Sequence, residues 1–323
     1  MRRRKGWAAL LLALLVLAAA EQVARPYFRE PRNLFHEHPV RFWALNPGTI
    51  TRDQQSDSFI HVNSLGLRGE EFDASRPGPR ILLLGDSCIF GAGLKDEETP
   101  DRFLEPELRA RTGQPWTVFN GGVPGYSTFQ GLDLFGEVGP VLRADVVVFA
   151  YLYADRGLDP CPDDERQAGR PVSDLRRLLW KSSLYRLARA RVLGWPVDQT
   201  LRVEDINRRG RRERVPTPRY VRNLQALAGL ARDFGARQVV FLRLPNLTPG
   251  SDQAGGQERA LRDVDPALGV LADAYGIWRD AGLLQPSAFL PNDSLHFSPE
   301  GSRQLARTLA EDLERQGVLG PGR

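Results

Sequence analysis

Cysteine, methionine and histidine are scarce in this chain of 323 residues, which has two cysteines, one methionine and four histidines. Two cysteines cannot make the disulfide framework of a small secreted scaffold. Cys88 and Cys161 could form one bridge at most, and Cys88 reads better as a small buried side chain. No CxxC pair and no His-rich spacing offers a metal site. Internal repeats are lacking too. Gly85 to Gly93 lacks the Gly-Lys-Ser/Thr ending of a phosphate loop, and Gly91-Ala92-Gly93 lacks the third glycine of dinucleotide spacing. No cofactor and no metal is therefore expected.

A dispersed excess of charge is also missing. The formal net charge is +4, and Arg2, Arg3, Arg4 and Lys5 account for all of it. The rest of the chain is balanced, so the composition argues against a nucleic-acid partner. The four basic residues precede an uncharged, largely apolar run from Gly6 to Ala20. A basic flank before a short apolar core is the pattern of an export signal. The run is shorter than the roughly 20 residues that span a bilayer comfortably. Residues 1–21 are expected to be a cleaved signal or a short uncleaved transmembrane anchor. Either places the remainder outside the cytoplasm, with membrane association through this segment in the second case.

Residues 22–78 carry prolines and turn residues but no long periodic run, and read as an extension packing on a core. From residue 79 to about 318 the pattern alternates. Ile81-Leu82-Leu83-Leu84, Thr117 to Asn120, Asp145 to Tyr151 and Gln238 to Leu242 are short, mostly apolar runs, as in strands buried on both faces. Helical patterns lie near Pro100–Arg111, Thr128–Gly136 and Tyr220–Phe234. A last helix has Ser298 as N-cap, Pro299 at its first position and Leu305, Leu309 and Leu313 in one stripe. Strands alternating with helices predict an α/β fold with a parallel sheet. Residues 156–218 interrupt it as an inserted helical segment. Ser173 could cap a helix carrying Leu175, Leu178, Leu179, Leu184 and Leu187. Arg176, Arg177, Arg186, Arg189 and Arg191, then Arg208, Arg209, Arg211, Arg212 and Arg214, form either a solvated basic face or a lid that attracts an anionic substrate or a membrane surface.

The first core strand ends in Gly85-Asp86-Ser87. A serine at the carboxyl end of a buried parallel strand sits where open α/β sheets place ligands. The same three residues also suit a turn and helix cap. Serine needs a base to become a nucleophile. His36, His38 and His61 lie in the extension, which leaves His296 as the one histidine after the serine. It occurs in Asp293-Ser294-Leu295-His296, where the acid could hold the imidazole in the tautomer that accepts the serine proton.

With Asn120-Gly121-Gly122-Val123-Pro124-Gly125 after the second strand, the order of motifs resembles the SGNH/GDSL hydrolase family across about residues 80–315. The resemblance implies a flavodoxin-like three-layer sandwich and esterase or acyl-transfer chemistry. It implies Ser87 as nucleophile, His296 as base and Asp293 as its orienter. The amides of Ser87 and Gly125 would be oxyanion donors. A small residue at 125 suits such a role, because it lets the backbone approach the reacting carbonyl.

One block departs from the pattern. The family has an asparagine, then an aspartate, after the third strand, and the asparagine completes the oxyanion hole. Here Ala154-Asp155 occupies that place, and no asparagine lies between Asn120 and Asn207. Tyr153, Arg156 or a residue of the insertion could substitute; Asp155 would repel the developing charge. Losing one donor costs roughly two to three orders of magnitude in rate. The leading expectation is an extracytoplasmic serine esterase acting on an acylated carbohydrate or lipid. An O-acyltransferase of the same fold, or a non-catalytic envelope binding protein, are the alternatives.

Overall fold

The computed structural model describes residues 2–25, 34–53, 55–168, 178–179, 182–193, 212–248 and 255–320. Ser173, Leu175, Arg176, Arg177, Arg208, Arg209 and Arg211 lie outside the described residues, as do the side chains of Arg189 and Arg191.

Uninterrupted apolar runs need cover on both faces, and they form the central sheet. Its strands are β1 (Arg80–Gly85), β2 (Thr117–Gly122), β3 (Val146–Ala150), β4 (Gln238–Arg243) and β5 (Val270–Asp273). All neighbouring pairs are parallel, in the order β2-β1-β3-β4-β5. Leu82, Leu84, Val147, Phe149, Val239 and Phe241 pack on one face. Ile81, Leu83, Val146, Val148, Val240 and Leu242 pack on the other. The alternation follows from the two-residue period of a strand. The chain leaves β1 for β2 on one side, then crosses back to β3 on the other. A crevice therefore opens at the carboxyl end of β1, where ligands bind in such sheets. The predicted α/β class and parallel sheet are what the chain adopts.

The segment that carries Ser87 is α2 (Ser87–Phe90), one turn directly after β1. α3 (Pro100–Thr112) covers one face, and α4 (Thr128–Leu142) the other. β2 ends against α2: a Cβ on Gly122 would lie 2.1 Å from the Phe90 amide nitrogen. Only glycine permits that approach.

Three regions differ from the sequence expectation. β5 is an unpredicted edge strand. Its apolar run is only three residues, Val270-Leu271-Ala272, before Asp273 caps the helix Ala274–Asp280. The extension holds two antiparallel hairpins, Phe35–His38 with Phe42–Leu45 and Ile50–Asp53 with Ser58–His61. Its side chains reach deep into the core region. Arg68 Nη1 donates to the Phe90 and Gly91 carbonyls (2.9 and 2.7 Å), and Nη2 to that of Leu94 (2.7 Å). The extension thus caps the carboxyl end of α2.

The third is α1 (Arg2–Ala24), which packs against α5 (Ser183–Leu193) of the insertion. Glu21 accepts from the amides of Ser183 and Leu184 (2.9 and 3.0 Å) and from Ser182 Oγ (2.7 Å), capping the amino end of α5. Burial would raise its carboxyl, but these donors outweigh it and hold it at about 2. Leu11, Leu12, Leu15 and Val16 remain exposed. Among the described residues no helix is long and apolar enough to cross a membrane. The run from Gly6 to Ala20 would rise only about 22 Å as a helix, against a hydrocarbon core of about 30 Å. The expectation of a transmembrane anchor thus has no support among the described residues.

Candidate active site

β1 ends at Gly85, and Asp86 turns the chain into α2. Asp86 Oδ1 accepts from the Cys88 amide at 2.9 Å, so the Gly-Asp-Ser turn is a helix cap as well. This places Ser87 at the first helical position, in the crevice. α6 (Thr217–Asp233) and α7 (Pro299–Arg315) complete the layers. α7 begins as predicted, with Ser298 Oγ accepting from the Gly301 amide. The loop before it carries Asp293 and His296. The Leu247 amide donates to the Ser294 carbonyl at 2.8 Å, tying that loop to the end of β4.

Residues 209 positions apart meet there. His296 Nε2 lies 2.8 Å from Ser87 Oγ. His296 Nδ1 lies 2.7 Å from Asp293 Oδ2. Asp293 Oδ1 accepts from the amides of Leu295 (2.8 Å) and His296 (3.0 Å). Burial would raise the Asp293 carboxyl, but those amides and the imidazole outweigh it, so it sits below the usual carboxylate range. An ionised acceptor on Nδ1 selects the tautomer with its proton there. Nε2 is then free to accept from the serine hydroxyl.

Gly125 takes φ +76°, a left-handed conformation that favours glycine. The Val123 amide donates to the Gly85 carbonyl at 3.0 Å, which brings the Gly122–Gly125 loop over the end of β1. The amides of Ser87 and Gly125 donate to no acceptor among the described residues. Unspent N–H groups at Ser87 and on the loop tied to the end of β1 are of the kind that can receive charge on a reacting oxygen.

The candidate substitutes for the missing asparagine fare differently. Tyr153 donates its one hydroxyl proton to the Leu244 carbonyl (2.6 Å) and accepts from Asn246 Nδ2 (2.8 Å). Its hydroxyl is spent on holding the β4 loop. Arg156 Nη1 faces Glu258 Oε2 at 3.5 Å, and Glu258 is also bound by Arg243. Ala154 is buried in the turn Tyr153–Arg156 and offers no side-chain donor.

Asp155 has a structural task. It is fully buried and accepts from the Thr128 amide (3.0 Å) and hydroxyl at the amino end of α4. Burial pushes its carboxyl up to about 7, against the pull of the Thr128 donors and Arg214. Its ordinary value is 3.8, so between the two pH values the folded chain holds a proton that the unfolded chain releases. The stability this contributes is complete below about pH 4 and lost as pH rises through about 7. Asp155→Asn removes that titration. Calorimetry from about pH 5 to about pH 8 should show the parent losing stability relative to the variant, by at most about 1.4 kcal/mol per pH unit. A pH-independent difference would contradict this.

Cys88 and Cys161 are both free. Burial, then the Asp86 charge, pushes the Cys88 thiol well up, so it is no rival nucleophile. One cluster of metal-ligand type, His38, Asp133 and Glu137, occurs among the described residues. The Arg41 guanidinium already sits in it, 2.7 Å from Glu137 and 3.4 Å from Asp133.

Sequence reasoning missed two residues at this site. Trp43 and Arg214 each contact the Gly125 loop, and nothing local marks them. Arg214 is 1% exposed rather than part of a solvated face, whereas Arg212 is exposed and pairs with Glu165 at 2.8 Å.

No family profile and no curated protein matches the chain. Solved structures do. A lipase/acylhydrolase from Enterococcus faecalis is 16% identical, with a TM-score of 0.47, over 74% of this chain and 96% of its own. Axe2, an acetylxylan esterase from Geobacillus stearothermophilus, is 14% identical, with a TM-score of 0.46, over 76% of this chain and 95% of its own.

Proposed function

We propose that the chain is a serine ester hydrolase of the SGNH kind, working through an acyl-enzyme on Ser87. The observation that carries the reading is the line of contacts from Asp293 through His296 to Ser87. In this reading Ser87 Oγ attacks the ester carbonyl carbon as His296 Nε2 takes its proton. Asp293 stabilises the imidazolium that forms. The Ser87 and Gly125 amides receive the charge on the former carbonyl oxygen. The intermediate collapses, the C–O bond to the leaving alcohol breaks, and His296 returns the proton to that alcohol. Water then repeats the sequence against the acyl-enzyme and frees Ser87.

With two backbone donors and no side-chain third, turnover is expected to be modest. An acylated carbohydrate or lipid outside the cytoplasm is the proposed substrate. The basic flank Arg2–Lys5 before an apolar run supports that location. A sugar hydroxyl taking the place of water would make the same site an acyltransferase. A binding protein without turnover is the second reading, favoured by Ala154. Steady-state hydrolysis of p-nitrophenyl acetate by the full chain, lost in Ser87→Ala, supports the first. Ligand binding without turnover in the parent supports the second.

A further inference from the structure

We infer that Trp43, from the extension, and Arg214, from the end of the insertion, are positioning residues that set the Gly125 amide as an oxyanion donor. The inference rests on the esterase reading. It adds that the site is completed by two segments outside the alternating α/β core.

The Gly125 N–H and the Pro124 C=O belong to one planar peptide unit and point in opposite directions. Holding the oxygen therefore aims the hydrogen. Trp43 Nε1 donates to the Pro124 oxygen at 3.0 Å. The next peptide is held as well, since Arg214 Nη1 donates to the Gly125 oxygen at 2.8 Å. Both carbonyls that flank the donor are thus clamped by side chains. Trp43 is 2% exposed and Arg214 1% exposed, so both donor side chains are buried.

Each clamp is itself fixed. The Tyr126 hydroxyl donates to the Trp43 carbonyl at 2.6 Å, which ties the residue after Gly125 back to the extension. Arg214 Nη2 also donates to Asp163 Oδ2 at 2.9 Å and to Gln130 Oε1 at 2.8 Å. A hydrogen bond to a peptide oxygen polarises the same peptide's N–H, so the Trp43 contact also strengthens the donor. Where a side-chain third donor is absent at Ala154, more of the charge falls on this amide.

The test compares Trp43→Phe with Trp116→Phe. Trp116 is equally buried, its indole donates to Thr112 Oγ1 at 2.9 Å, and it lies beside the amino end of β2, away from the site. Each substitution deletes one buried indole N–H bond. Both should lower Tm by a similar amount. Only Trp43→Phe should lower kcat for p-nitrophenyl acetate, by about tenfold, with KM within about twofold; loosening a donor costs less than deleting one. Phosphonate labelling of Ser87 should slow by the same factor, because it passes through the same charged oxygen.

A Trp43→Phe kcat within about twofold of the parent overturns the inference. So does an equal loss in Trp116→Phe. Should Trp43→Phe not fold, 3-benzothienylalanine at position 43 removes the N–H and keeps the ring volume, and the same kcat loss is expected. A parent with no Ser87-dependent turnover fails the esterase reading itself. A parent that turns over and a Trp43→Phe variant that matches it fail only the inference.

Discussion

His296→Ala is expected to lower ester turnover roughly 1,000- to 10,000-fold while leaving the fold intact. The loss follows from the 2.8 Å contact to Ser87 Oγ. Without the imidazole the hydroxyl must give up its proton to water, near its own high pKa. Nucleophile and base act as a unit, so Ser87→Ala, His296→Ala and the double variant should fall to about the same residual rate. That residue of activity reflects the two amide donors and substrate binding. His296 is partly exposed, so stability should change by less than about 1 kcal/mol. Losses that simply multiply in the double variant would mean that the two residues do not share a proton.

The largest effect on stability is expected at Arg214. Its guanidinium and the Asp163 carboxylate are both fully buried, 2.9 Å apart. Ser127 Oγ also donates to Asp163, at 2.7 Å, at the amino end of α4. Arg214→Ala leaves that carboxylate without its counter-charge and strips a donor from the Gly125 carbonyl and from Gln130. Breaking a buried pair from one side costs about 3–5 kcal/mol. For a domain of this size that corresponds to a fall in Tm of roughly 10 °C. The double variant Arg214→Met, Asp163→Asn removes both charges and should recover part of the loss. A single variant as stable as the parent would show that solvent reaches this pair.

These two sites mark what was legible in the sequence and what was not. β1 and β3 declare themselves as apolar runs, because strands covered on both faces admit few polar residues. α7 declares itself through Ser298, Pro299 and the leucine stripe. The meeting of Ser87, Asp293 and His296 was readable because each lies next to an element end. β5 was not, because its apolar run is only three residues long before Asp273 caps the next helix. The extension's strands are four residues long and mix polar with apolar residues, as in Phe35-His36-Glu37-His38. Their form comes from what they pack against. Trp43 and Arg214 act on partners 81 and 89 positions away. No local pattern encodes such a bond, and Arg214 stands in a run of arginines that otherwise looks solvated. Tyr153 shows the converse. Its position invited a catalytic role, and the bonds to Leu244 and Asn246 give it a structural one.

The Ser87 hydroxyl is the claim on which the rest depends. Intact-mass and peptide mass spectrometry after exposure to a fluorophosphonate tests it most directly. The account predicts one adduct per chain, on Ser87, formed quickly in the parent and suppressed about 1,000-fold or more in His296→Ala. A folded parent that takes up no label, or that takes it up elsewhere, would contradict it.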